Sequence, residues 1–250
     1  MLSAKEIISR YKLPSFLLDD IDSYTIIPKA PLAVKTLDVL SKLYASLSLA
    51  IQSGRYCLLM HLVTEYPKDF RVDSENDEFL KQQFINSALM HYNTSFDITL
   101  ECIWIGFGLY HYIKSDRLLS LNTNKGIEEI LSCCTYNKIK SLEKCINPDL
   151  GKSLKLVRRK QQKIANWTNN LKHRGNIVYT DLTEERVNIS TINEAGEIVY
   201  DSSKVQTKVT TEKVVKSLLE YHAALISLLE KLDSMIKVKL LKTASKSYII

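Results

Sequence analysis

Apolar residues return every three to five positions from Leu32 through Leu37, Leu40, Leu43, Leu47 and Ile51, the spacing of one face of a helix. Pro31 suits the first turn of that helix and Gly54 a position just past its end. The spacing therefore predicts a helix that stops at Gly54 or runs on, bent, through Tyr56 to Tyr66 before Pro67. Upstream, a short helix is expected near Ser3 to Tyr11, then an irregular stretch to Pro31. The polar run from Lys68 to Asp77 (KDFRVDSEND) reads as a loop in which Ser74 or Asn76 can cap the next helix. That helix, about Glu78 to Lys114, is expected to be the longest.

Asn122 to Lys125 and Asn147 to Pro148 read as turns around one or two shorter helices, and Leu150 to Lys172 as another helix stopped by Gly175. The period then changes. Arg186 to Ile192 (RVNISTI) alternates with period two, the stretch from Asn193 to Gly196 offers a turn, and Glu197 to Tyr200 resumes an extended pattern, which together predict a β-hairpin. Thr210 or Thr211 can cap a last amphipathic helix carrying Val214, Leu218, Leu225, Leu228, Leu232 and Met235 on one side. The expected fold is all-α: a helical bundle with a small β-hairpin at about 186–200, before the C-terminal helix. It divides into an N-terminal helix and irregular segment (1–29), one helical domain (30–242) and a tail (243–250).

Composition agrees with a helical reading. The 250 residues are 45% hydrophobic, with seven Gly and five Pro, well under average usage of roughly 7% and 5%. A chain of this length buries roughly three quarters of its unfolded surface, so a sizeable core is expected. The first thirty residues mix charged and apolar groups, unlike a signal peptide, and the apolar run Ile103 to Ile113 is too short to span a membrane. Cys57, Cys102, Cys133, Cys134 and Cys145 are an odd set without CxxC spacing, which points to reduced thiols in a cytoplasmic protein rather than a disulfide framework or zinc finger.

Charge changes the picture more. The chain carries +6, with 34 Lys+Arg against 28 Asp+Glu, yet Lys152 to Arg174 alone holds eight Lys/Arg and no acid, so the other 227 residues sum to −2. On a helix Arg159, Lys163, Asn166, Asn170 and His173 fall three or four apart on one stripe, while Leu154, Val157, Ile164 and Leu171 form an apolar one. Such a polar stripe is compatible with a plain solvated face. It is also what a phosphate-rich ligand needs, because cations set affinity and an imidazole can move protons. Asn93 and Asp97, four apart among Tyr92, Phe96, Trp104 and Phe107, form a second constellation. It reads equally as a hydrogen-bonded pair fixing helix register or as a supporting or catalytic carboxylate, with the basic helix as a candidate partner.

The run from Asn169 to Gly175 (NNLKHRG), closing a helix ahead of a hairpin and a long C-terminal helix, resembles the end of a HEPN domain (higher eukaryotes and prokaryotes nucleotide-binding). Tyr92, Asn93 and Asp97 resemble the matching helix of a bacterial HEPN subfamily with a hairpin insertion, and the likeness covers about residues 30 to 240. It implies a helical, homodimeric, cytoplasmic protein, and many such domains are metal-independent RNA endonucleases of toxin-antitoxin and phage-defence systems. Cleavage in them proceeds by attack of a ribose 2′-OH on the adjacent phosphate. The family motif is an Arg, a polar residue, a few positions and a His. Here His173 matches the histidine and Asn169 the polar position, but Thr168 stands where the arginine is expected. Losing such a donor to the transition state typically costs ~10²–10³ in rate.

Arg174, beside His173, is the candidate substitute; Arg159 lies roughly 21 Å back along the helix. Resemblance and charge together name His173, Asn169 and Arg174 as candidate catalytic residues and Arg159, Lys163, Asn166, Asn170 and Lys172 as candidate phosphate contacts. Asn93 and Asp97 are the supporting groups. RNA or a nucleotide, a second copy of the chain and an antitoxin protein are the expected partners, with no membrane, metal or cofactor. The other reading is a non-catalytic helical dimerisation or protein-interaction module using the same face. His61, His91, His111 and His222 sit in apolar stretches and read as core or partly buried imidazoles. Nucleotide-binding loops and Ser or Cys nucleophile motifs are absent from the sequence.

Overall fold

The computed structural model describes residues 9–10, 31–63, 66, 76–112, 120–174, 177–182, 190–192, 198–200 and 207–246. Among them, six helices dominate: α1 (Pro31–Leu62), α2 (Asn76–Gly106), α3 (Asn124–Ser132), α4 (Tyr136–Ser141), α5 (Pro148–Arg174) and α6 (Thr211–Lys246). The strands are three residues each: β1 (Ile177–Tyr179), β2 (Ser190–Ile192), β3 (Ile198–Tyr200) and β4 (Thr207–Val209). The mostly helical fold expected from periodicity is therefore the fold found. Of the N-terminal helix only Ser9 and Arg10 fall among the described residues, and both are helical.

At two helix ends the structure decides what the sequence left open or misplaced, each for a local reason. Of the two expected ends of α1, continuation past Gly54 is the one found, and the helix runs to Leu62. A Cβ on Gly54 would sit 3.2 Å from the ring of Tyr92, which is fully buried, so this glycine serves close helix packing rather than a cap. α2 ends at Gly106, well before Lys114, because the chain turns at Phe107 and Gly108, and Gly108 holds φ of 62°. That left-handed conformation suits glycine and terminates the helical ladder. Among the described residues α6, at 36 residues, and not α2 is the longest helix.

Three helices start where a threonine hydroxyl accepts a free amide, and of these caps Thr210 is one that the sequence predicts. Thr123 Oγ1 accepts from the Gly126 N–H, Thr135 from Lys138 and Thr210 from Lys213. The α6 start has a further anchor, since the Thr211 N–H and hydroxyl both donate to the Asp181 carboxylate. Burial raises the Asp181 carboxyl, but the hydrogen bonds from Thr211 and neighbouring amides together hold it below the usual range.

The expected hairpin forms, β2 and β3 pairing antiparallel with Ser190 opposite Tyr200 and Ile192 opposite Ile198. Residues 186–189 and 193–197 of that expectation lie outside the described residues. A second pair was not foreseen: β1 runs parallel to β4, with Ile177 opposite Thr207 and Tyr179 opposite Val209.

The contacts group into two compact units. The first takes in Gly54–Asn93 and Lys160–Glu220; the second takes in α1 up to Ser53, Thr94–Arg159 and α6 from Tyr221. In the first, Leu58, Ile85, Leu89, Ile164, Tyr179 and Leu218 are buried together with Tyr92. Tyr179 donates from its hydroxyl to Asn86 Oδ1 at 2.7 Å, fastening β1 to α2. In the second, the core includes Leu47, Phe96, Trp104, Val157, Leu225 and Leu232. There Trp104 Nε1 donates to the Ile130 carbonyl, Ser95 and Tyr221 share a hydrogen bond, and Lys231 Nζ donates to Ser153. Among the described residues no helix is long and apolar enough to cross a membrane.

Candidate nucleic-acid interface

Burial decides which face of α5 is available. In the first unit Ile164, Trp167 and Thr168 turn inward. Gln161 Nε2 donates to Asn93 Oδ1 at 2.8 Å, and Thr168 Oγ1 donates to the Leu89 carbonyl of α2 as well as to Ile164 one turn back. Because 89 lies opposite 168 and 93 opposite 161, α5 and α2 run in opposite directions through this unit. Those contacts leave Lys163, Asn166, Asn169, Lys172 and His173 exposed, with Asn170 half-buried. The stripe drawn from spacing alone is thus an outward face over its last three turns.

The basic segment is less free than its charge count implies. In the second unit Lys155 is paired with Glu143 at 2.8 Å and Lys152 with Asp149 at 3.5 Å. Arg158 lies over the rings of Phe96 and Tyr136, 5.6 and 5.3 Å from their centroids, a cation–π arrangement that fixes α5 against α2 and α4. Arg159 is exposed beside it. In the first unit Lys160 Nζ meets Glu220 Oε2 of α6 at 3.0 Å. Much of the acid-free run thus serves to hold the fold, while Lys163 and Lys172 stand on the exposed face. Arg174 ends α5, and its side chain lies outside the described residues.

Asn93 and Asp97 part company despite sharing a helix. Asn93 belongs to the first unit and accepts from Gln161, so it helps set α5. Asp97 belongs to the second unit and is exposed; its charge helps keep the neighbouring Tyr221 hydroxyl protonated, after the larger effect of burial.

Thr168, at the position of the motif arginine, is fully buried and satisfied by carbonyls. An arginine could not occupy it without stranding a cation in the core.

The remaining titratable groups point elsewhere. His61 and His222 are buried, His91 is half-buried and His111 is exposed, so the reading of all four as core or partly buried imidazoles fails at His111, which follows the Gly108 turn. Burial first, then Glu101, pushes Cys134 up to about 12, which excludes a ready thiolate. Among the described residues no group of three His, Cys, Asp or Glu is placed to hold a metal.

Sequence reasoning missed the contribution of α6. Lys216 is exposed one turn before Glu220 on α6, and both Lys216 and Lys163 act on the Glu220 carboxylate. Nothing in the sequence links Lys160 to a residue sixty positions away; the acid-free run ending before an acid-containing amphipathic helix was the only available signal. Compared with known proteins, the chain matches no family model, no curated protein and no solved structure.

Proposed function

We propose that this protein is a HEPN-like, RNA-binding helical domain whose ligand lies along the exposed end of α5. The observation that supports this best is the segregation on that helix. Ile164, Trp167 and Thr168 are buried, while Lys163, Asn166, Asn169, Lys172 and His173 face outward from a stretch with no acidic residue. Cations there supply phosphate affinity, and the amides add hydrogen bonds to phosphate, sugar or base. A homodimer and a toxin or phage-defence setting belong to the same proposal through the resemblance.

Binding takes precedence over cleavage in this reading, because Thr168 is committed to the core and leaves His173 without the family's arginine. His173 and Asn169 remain the groups through which any strand cleavage would pass. Fluorescence anisotropy with a labelled single-stranded RNA, taken through a salt series, tests the reading. With Lys163 and Lys172 each neutralising a phosphate, the logarithm of affinity is expected to fall with a slope of at least about −1.4 against the logarithm of salt. No binding at low salt would instead favour the protein-interaction module. His173→Ala is expected to remove any RNA cleavage and leave the helical content intact; unchanged cleavage would take His173 out of the chemistry.

A further inference from the structure

The α5–α6 ion pair sits at the edge of the exposed face. In the first unit the two helices are tied at one end, where β1 after α5 pairs with β4 before α6. They are tied again at Lys160 and Glu220, 3.0 Å apart. Those two ties make the helices run in opposite directions, so residues after Lys160 on α5 lie beside residues before Glu220 on α6. Lys163 is one turn along from Lys160, and Lys216 is one turn back from Glu220. Three ammonium groups from two helices therefore surround one carboxylate. The pair is open to solvent, with Lys160 27% and Glu220 49% exposed at their side chains.

A carboxylate held by one lysine and flanked by two more occupies the position that a phosphate would favour. We propose that Glu220 is an internal stand-in for an RNA phosphate: the RNA-binding face extends from α5 onto α6 through Lys160, Lys163 and Lys216, and bound RNA takes Lys160 away from Glu220. This rests on the RNA-binding reading above and deepens it by naming a second helix and a built-in competitor. An exposed ion pair is weak, so the exchange is accessible at low cost, and screening by salt weakens pair and phosphate contact alike. The Lys160 hydrogen bond and charge, then Lys216 and Lys163, hold the Glu220 carboxyl below its usual range, so it stays ionised and competes throughout the neutral range.

The test is a double-mutant cycle read by anisotropy with a fluorescein-labelled oligo(U) strand, using wild type, Glu220→Gln, Lys160→Gln and the double variant, each checked for helicity by circular dichroism. Glu220→Gln is expected to bind about two- to fivefold tighter, the range that an exposed ion pair represents. Its salt slope should match that of wild type, because bound RNA holds Lys160 in both proteins, whereas Lys160→Gln should flatten the slope by about 0.7, one phosphate contact fewer. The gain should vanish in the Lys160→Gln background, because the lysine released by the substitution is then missing. An equal gain in both backgrounds, or none in either, overturns this inference while leaving RNA binding standing. Absence of binding by all four proteins overturns the RNA-binding reading, and this inference with it.

Discussion

Thr168 is the residue at which resemblance and physics meet most sharply. Its position in the motif calls for a cation, but its hydroxyl is spent inside the core on the Ile164 and Leu89 carbonyls. Thr168→Val keeps the shape and deletes the donor, and urea denaturation is expected to show a loss of about 1 kcal/mol. Thr168→Arg, which restores the motif on paper, is expected to cost more than about 3 kcal/mol by burying an unpaired charge. It should not generate RNase activity. Gly108 offers a second residue-scale check: an alanine forced to φ near 62° should lower stability by about 1 kcal/mol.

His61 gives a pH dependence. It is buried, and its Nδ1–H donates to the Lys81 carbonyl at 2.9 Å. Burial lowers its affinity for protons more than that hydrogen bond and the nearby Asp181 raise it. A depressed folded value means that the unfolded chain binds the extra proton first. Stability from His61 is therefore full above the ordinary histidine value of about 6.5 and is lost as pH falls below it. His61→Asn keeps a donor and removes the titration. The stability gap between wild type and His61→Asn, followed by thermal melts, is expected to narrow from pH 7 to pH 5; a constant gap would contradict the assignment.

At the scale of elements, the helices were legible in the sequence because a buried face repeats every 3.6 residues, and every predicted apolar position of α6 from Val214 to Leu232 is buried. Their ends were less legible. Gly54 has the look of a stop signal and is in fact where the Tyr92 ring approaches. The hairpin announced itself by alternation, whereas the β1–β4 pair did not: three apolar residues, Ile177 to Tyr179, carry no period, and their partner strand lies beyond the hairpin. β1 is held instead by the Tyr179 hydroxyl on Asn86. Tyr179→Phe should accordingly cost about 1 kcal/mol, with earlier hydrogen exchange at β1 and β4 than in the helices.

Across the molecule, the basic excess of one segment is partitioned. Lys152, Lys155 and Arg158 support the second unit through Asp149, Glu143 and two aromatic rings. Lys163 and Lys172 face outward from the first. The sequence carried the stripe but not this division, since the acids and rings that engage the lysines and Arg158 come from other elements. The division is also why a solvated face and a ligand face could not be told apart by spacing. The central claim, that the outward part of α5 holds RNA phosphates, is tested most directly by one comparison: the salt slope of single-stranded RNA affinity for wild type against Lys163→Gln/Lys172→Gln. The slope is expected to flatten by about 1.4, two phosphate contacts at roughly 0.7 each, with the fold intact. An unchanged slope, or no RNA binding by wild type at low salt, would contradict it.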